Sequence, residues 1–147
     1  GELFVFVFFG LVATAGTTFV IVQTVTIEAW LAGTAAGLTA CAALMVNNIR
    51  DIAQDRVAGK RTLAVLLGDR AARIVYVVLL LLPFAILGFF TVFYANAYLV
   101  YFALLAAVPA AGIALSAKTA PELVLALRLT TLTALIYGLG LSWAIAF

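Results

Sequence analysis

The 147-residue sequence contains no histidine, a single cysteine and a single methionine. Without histidine there is no Cys/His zinc site, and one cysteine, Cys41, cannot form a disulfide within the chain. Cys41 lies in an apolar stretch, where we expect a small buried hydrophobe. The only methionine is Met45, deep in the chain, so Gly1 is not an initiator residue. We therefore expect the chain to be a piece of a longer protein.

Charge is also scarce, because 10% of the residues are charged and 67% are hydrophobic. Soluble domains have about 25% charged and about 45–50% apolar residues. The composition excludes an ordinary soluble domain, since too few polar side chains exist to cover its surface. It also excludes intrinsic disorder, because the apolar surface is ample to drive ordering. We predict a membrane-embedded protein and expect no nucleic-acid partner.

Five long apolar runs divide the chain, at about 3–24, 27–46, 72–95, 97–117 and 123–147. Each is long enough, at about 1.5 Å per residue, to cross a hydrocarbon core about 30 Å thick as a helix. They lack the alternation of outer-membrane strands. The sequence therefore predicts an all-α, polytopic transmembrane bundle of five spans in one membrane domain, 1–147. The pair Gly33-x-x-x-Gly37 in the second run predicts a close-packing face.

One connection, 47–71, is long and charged, whereas the first-to-second and third-to-fourth connections are very short. Nine of the fourteen charged residues lie between Arg50 and Arg73. Because cytoplasmic loops are enriched in Lys and Arg, we place this loop on the cytoplasmic side of the cell membrane. Helix parity then puts Lys118 and Arg128 on the same side. It makes the N-terminus cytoplasmic and the C-terminus external.

The most informative stretch is NNIRDIAQDRVAGKRTLAV, residues 47–65. We expect the second helix to run on past its apolar segment into this stretch. On such a helix Asp51 and Asp55 are four residues apart and share one face, with Asn47 and Asn48 one turn before them. Two carboxylates at this spacing repel each other, so the pattern calls for a compensating positive charge.

A hard divalent cation would supply that charge. Arg50 and Arg56 adjoin the aspartates in sequence, but we expect them to project mostly to other faces and to be imperfect partners. Mg²⁺ is typically held by one or two carboxylates together with substrate phosphates, and Asn47 or Asn48 could add an amide oxygen. After Gly59, two further cations are suited to phosphate oxygens. They are Lys60 and Arg61.

The pattern favours a magnesium–diphosphate site at the membrane surface, although two other interpretations deserve comparison. The first is a solvated loop whose positive charges only set orientation. The second is a phosphatidyltransferase of the CDP-alcohol type, but its D-G-x-x-A-R start is missing. No G-x-x-x-x-G-K-[ST] loop is present either, so nucleotide hydrolysis has no support.

The run N-N-x-R-D-x-x-x-D-x-x-x-G-K-x-T-L-A-V, closing with Leu67-Gly68, resembles the second aspartate motif of the UbiA-type intramembrane prenyltransferases. Within that family it most resembles the menaquinone branch, the 1,4-dihydroxy-2-naphthoate prenyltransferases. The opening G-E-L-F-V-F-V-F-F-G, followed by Gly16-Thr17-Thr18, is similar to the segment that precedes the fifth helix in that branch.

The resemblance implies that the five spans are the fifth to ninth helices of a nine-helix bundle. The family's first motif, of the N-D-x-x-D-x-x-x-D kind, is absent from this chain. In such enzymes the two motifs face each other and share magnesium ions. The resemblance therefore implies an incomplete enzyme, whose partner is the N-terminal half of the same protein.

The resemblance also implies a reaction. A polyprenyl diphosphate lies with its tail among the helices, and its prenyl group passes to 1,4-dihydroxy-2-naphthoate with loss of diphosphate and carbon dioxide, giving demethylmenaquinol. The implied Mg²⁺ ligands are Asp51, Asp55 and Asn48. The implied catalytic residues are Asp51, Asp55 and Lys60. The implied diphosphate-binding residues are Asn47, Asn48, Arg50, Lys60 and Arg61.

Several alternatives remain open at this point. The acceptor could be another aromatic molecule such as 4-hydroxybenzoate, or the chain could be a non-enzymatic membrane subunit or half of a transporter. Small residues along the first, second and fifth spans suit a tunnel for the prenyl tail, but ordinary helix packing explains them equally well. Arg128 either reaches to the membrane interface or contacts a substrate anion.

Overall fold

The computed structural model describes residues 1–147 as helices without any strand. Five helices are long and apolar enough to cross a membrane, which confirms the predicted fold class. A sixth helix is short and lies in the charged connection. The six are α1 (Glu2–Val22), α2 (Ile27–Val57), α3 (Leu63–Leu67), α4 (Asp69–Phe93), α5 (Ala97–Ser116) and α6 (Ala120–Ala146).

Helix α2 is the centre of the bundle and packs against α1, α4 and α6, while α5 packs against α4 and α6. The large side chains that fill the space between these helices include Met45, Val46, Tyr76, Leu80, Leu87, Phe90 and Tyr137. Many leucine, valine and phenylalanine side chains point outward instead. Such an apolar exterior is what a lipid environment requires, because lipid tails solvate it and water does not.

The closest contact between α1 and α2 is formed by Gly10, Gly33 and Gly37, called here the glycine seam. A Cβ placed on Gly10 would lie 2.6 Å from the Gly33 carbonyl oxygen and 2.6 Å from the Gly37 Cα. Only glycine allows the two backbones to approach this closely, which confirms the close-packing face predicted for α2. Around Gly10, residues Phe6–Gly16 have the wider hydrogen-bonding pattern of a π-helix, which the sequence did not predict.

Helix α2 extends well beyond its apolar segment. It begins after Thr26, whose side chain accepts a hydrogen bond from the Ala29 amide, and it ends at Val57. Its 31 residues span about 46 Å at 1.5 Å per residue, against a hydrocarbon core of about 30 Å. The last turns, which carry the aspartates, therefore reach past the apolar layer, as the sequence predicted.

The charged connection and the turn between α5 and α6 lie at the same end of the bundle. The Arg73 guanidinium, near the start of α4, donates a hydrogen bond to the carbonyl of Ala114 near the end of α5. Helix α6 then begins with a capping box between Thr119 and Glu122. The basic residues of the two connections are thus brought to one end, called here the polar end.

Candidate functional site

Asp51 forms a two-point ion pair with the residue before it. The Arg50 Nε and Nη2 atoms lie 2.8 Å from the two carboxylate oxygens of Asp51, and both side chains are partly exposed. The expectation that Arg50 is an imperfect partner was therefore wrong. Its Cβ does project to another face of the helix, but the long side chain lies along the helix surface and brings the planar guanidinium round to the carboxylate.

Asp55 is paired with a cation from the next turn of chain. Its side chain is only 9% exposed, and the Lys60 Nζ lies 3.1 Å from its Oδ1. Gly59, with φ +70°, ends the helix and lets the chain fold back. The Lys60 amide then donates to the Asp55 carbonyl oxygen over 2.9 Å. The turn therefore fixes the backbone of Lys60, while its side chain remains 66% exposed.

Asn48 is held by a residue that the sequence analysis did not single out. Its Nδ2 donates to the Glu2 Oε1 over 2.9 Å, which joins α2 to the start of α1. Asn47 is half-buried and makes no side-chain hydrogen bond. One feature of the sequence could have indicated Glu2. It is a carboxylate in an otherwise apolar segment, at the end of that segment which lies at the polar end.

Three other cations stand apart from the carboxylates. Arg56 and Arg61 are exposed and form no ion pair, and the same is true of Arg128. The expectation that Arg56 is an imperfect partner of the aspartates is confirmed, because they pair with Arg50 and Lys60 instead. The structure does not bring Arg61 to either aspartate, so its role toward diphosphate stays a prediction.

The oxygen donors at the polar end suit a hard cation. Asp51, Asp55 and Asn48 fall within about 60° of one another around the helix axis, at about 100° per residue. Both carboxylates already contact a positive group. No group of three or more acidic, histidine or cysteine side chains comes together in the chain. Two carboxylates and an amide oxygen form a partial donor set of the kind that Mg²⁺ completes with water and phosphate.

A partly open cavity of about 470 Å³ lies between α1, α2 and α6. On α2 it begins at Ala43, about 12 Å along the axis from Asp51, and continues away from the polar end to Ala32. Small and apolar side chains form most of its wall. The lining residues are Phe9, Thr14, Ala32, Ala36, Thr39, Ala40, Ala43, Thr131, Ala134, Tyr137, Gly138, Leu141, Ser142 and Ile145.

A sequence model of the UbiA prenyltransferase family matches residues 1–122. The chain belongs to this family. The resemblance noted from the aspartate motif is therefore confirmed, and the matched residues include all of the polar-end site.

Curated relatives agree with this assignment. The chain is 39% identical over its whole length to the 1,4-dihydroxy-2-naphthoate octaprenyltransferase of Mycobacterium tuberculosis, of which it covers 50%. It is 40% identical over 93 residues to the Escherichia coli protein of the same name, covering 63% of the chain and 30% of that protein. The Haemophilus influenzae protein of the same name is 42% identical over 80 residues, covering 54% and 26%. No solved structure gave a significant match.

The chain thus spans about half the length of the first of these relatives and less of the others. The family match shows a member of a membrane prenyltransferase family.

Proposed function

We propose that the full-length protein containing this chain transfers a polyprenyl group from polyprenyl diphosphate to 1,4-dihydroxy-2-naphthoate. Diphosphate and carbon dioxide are released, and the product is demethylmenaquinol. The observation that carries the proposal is the pair Asp51 and Asp55 on successive turns of α2, each carboxylate against a cation. The names of the relatives support the acceptor, and they support an octaprenyl tail.

Mg²⁺ is the proposed cofactor, and Asp51, Asp55 and Asn48 are its proposed ligands in this half of the protein. When bound, the metal supplies positive charge to the leaving diphosphate. The donor set fits in its chemistry, because all three side chains offer the oxygen atoms that Mg²⁺ prefers. We expect the remaining ligands from the N-terminal half of the protein.

Arg50 and Lys60 are the proposed partners of the diphosphate oxygens. The Arg50 guanidinium already makes two parallel hydrogen bonds to a carboxylate, and the same geometry suits a phosphate. Lys60 has an exposed side chain on a fixed backbone, so its ammonium can move from Asp55 to an anion nearby. Asn47 and Arg61 belong to the same proposal and lie on either side of these groups along the chain.

The positive charge assists a specific bond cleavage. The allylic C–O bond breaks, and the diphosphate leaves with the electron pair, which these cations stabilise. The ring carbon of the naphthoate that bears the carboxylate then donates an electron pair to the allylic carbon and forms the new C–C bond. Loss of the carboxyl group as carbon dioxide returns an electron pair to the ring. The atoms and electrons therefore balance without an oxidant or a reductant.

The cavity between α1, α2 and α6 is the proposed site for the start of the prenyl tail. Its wall is apolar, and it begins about 12 Å from Asp51 along the axis of α2. A substrate with its head at the aspartates would thus extend its hydrocarbon away from the polar end. Burial of the apolar tail there is favourable at about 25 cal/mol per Å².

The proposed location is the cytoplasmic membrane, with the polar end and the start of α1 facing the cytoplasm and the C-terminus outside. Its support is the gathering of basic residues at one end of the bundle, shown by the contact between Arg73 and Ala114. A water-soluble acceptor would then approach the aspartates from the cytoplasm.

The test is prenyl transfer by the purified full-length protein. Asp51→Ala and Asp55→Ala should each lower turnover more than about 100-fold, since each removes a proposed ligand of the Mg²⁺ that would neutralise the leaving diphosphate. Asp69→Ala is the matched control, because Asp69 lies in the same connection but is exposed and pairs with Arg73. It should keep turnover within about twofold. Membrane insertion should be unchanged in all three variants.

The acceptor is tested in the same assay with a panel that includes 1,4-dihydroxy-2-naphthoate and 4-hydroxybenzoate. Prenylation of the naphthoate with release of labelled carbon dioxide is the expected result. Near-normal turnover by both aspartate variants would remove the metal-site assignment. Preference for a different acceptor would keep the family and change the substrate.

A further inference from the structure

Glu2 is the one carboxylate outside α2 that contacts the proposed site. Its Oε1 accepts a hydrogen bond from the Asn48 Nδ2 over 2.9 Å, and its side chain is only 16% exposed. Glu2 therefore meets the site through Asn48 and contacts neither aspartate.

The contact determines which way the Asn48 amide points. A carboxylate can only accept hydrogen bonds, so it binds the NH₂ arm of an amide and never its oxygen. With Nδ2 turned to Glu2, the Asn48 Oδ1 lies on the opposite arm and accepts no hydrogen bond from the chain. One turn further along the same face of α2 is Asp51. An oxygen held in this way is available to a cation.

Docking of α1 onto α2 does not depend on this side chain. The Cys41 thiol donates to the backbone carbonyl of Glu2 over 3.1 Å, which ties the same residue of α1 to α2 through its backbone. The glycine seam at Gly10 provides a second, close contact between the helices. Burial of a charge merely to join them would add a desolvation cost to an interface that is already packed.

We infer that Glu2 is a positioning residue, which holds the Asn48 side chain with its amide oxygen directed toward the cation site formed with Asp51 and Asp55. The inference rests on the proposed function, since it concerns the same site. It assigns a role to the start of α1 that the aspartate motif does not contain. The substrate need not touch Glu2.

The test uses three variants of the full-length protein and Mn²⁺ alone as the probe, because Mn²⁺ accepts the same oxygen ligands. Free Mn²⁺ is measured by electron paramagnetic resonance in a titration without substrate. Glu2→Ala should weaken Mn²⁺ binding about 10- to 100-fold, the usual loss when a residue that orients a metal ligand is removed. Cys41→Ala is the matched control, because it removes the neighbouring contact to Glu2 and leaves Asn48 untouched. It should bind Mn²⁺ as the wild type does.

Glu2→Gln separates orientation from simple attachment. A glutamine can accept from the Asn48 NH₂ or donate to the Asn48 oxygen, so it attaches the side chain without selecting its direction. Mn²⁺ affinity should fall between those of the wild type and Glu2→Ala. A side chain that only joins the helices would function equally well as Glu or Gln.

Each outcome decides a point. Wild-type Mn²⁺ affinity in Glu2→Ala, or equal affinities for Glu2 and Glu2→Gln, would overturn the positioning role whatever the activity. A graded loss in a protein that transfers no prenyl group would keep the positioning role and reject the proposed function. Failure of the wild type to bind Mn²⁺ would overturn both. In an active wild type, Glu2→Ala should lower kcat at limiting Mg²⁺ and leave the KM for the acceptor unchanged.

Discussion

The two halves of α2 make different kinds of contact. In the half nearer its start, Gly33 and Gly37 meet Gly10 with their backbones in direct contact. At the polar end, Asp51 and Asp55 meet Arg50 and Lys60 through side chains, and Lys60 is largely exposed. The first half makes close backbone contacts, whereas the polar end makes ion pairs between side chains.

The contacts that stabilise the packing of α2 and the groups available for chemistry therefore lie in different halves of one helix. A backbone contact has no spare space, so it permits one arrangement of α1 on α2. A long, partly exposed cationic side chain can exchange one anion for another at little cost in stability. The helix thus keeps its fixed contacts in the apolar layer and its exchangeable contacts where a charged substrate would arrive.

The largest effect on folding should come from Gly10→Ala. The added Cβ would lie 2.6 Å from two backbone atoms of α2, so the helices must separate. We expect a loss of about 3 kcal/mol, the upper part of the usual range for overpacking. The measurement is the apparent Tm of the full-length protein in detergent. Gly112→Ala is the control, because a Cβ there meets nothing within 4 Å. Equal Tm values for the two variants would refute the seam.

A smaller effect is expected from Lys60→Met, which leaves the largely buried Asp55 carboxylate without its cation. Without metal, the variant should lose about 2 kcal/mol of stability. Saturating Mg²⁺ should raise its Tm more than that of the wild type, since no ammonium competes for the Asp55 oxygens. A smaller Mg²⁺ response than in the wild type would contradict the exchange of partners.

The smallest effect should come from Gly59→Ala. Gly59 has φ +70° and open space around it, so only the backbone conformation opposes a side chain. The left-handed conformation costs a residue with a Cβ about 1 kcal/mol. Gly59→Asn should restore most of the stability, because asparagine tolerates this conformation. A comparison of the three Tm values measures the strain, and equal values for Ala and Asn would show that the turn relaxes.

The overall fold follows from features that act within a single segment. Length and apolar composition were enough to predict five spans, because a membrane helix satisfies its own backbone groups. The spacing of Asp51 and Asp55 was enough to place them on one face, and the pair Gly33 and Gly37 was enough to predict close packing. Each of these depends only on residues within about two turns of one another.

The features that sequence reasoning missed depend on distances between segments or on side-chain conformation. Asn48 and Glu2 are 46 residues apart, and their contact depends on the position of α1 along the axis of α2. The glycine seam sets that position, and no pattern within a single helix identifies Gly10 as the residue that packs against α2. The pairing of Arg50 with Asp51 was mispredicted because the direction of Cβ says little about where a guanidinium five bonds away will settle.

The glycine seam also determines where the start of α1 lies relative to α2 at the polar end. Gly10 and Glu2 are eight residues apart on one helix, which is a distance of about 12 Å at 1.5 Å per residue. A helix transmits a shift at one point to its end, so any widening at Gly10 moves Glu2 relative to Asn48. Inactivating substitutions should therefore occur along this contact as well as at the aspartates. In a screen of random variants of the full-length protein, they would form a line running from the polar end into the apolar layer.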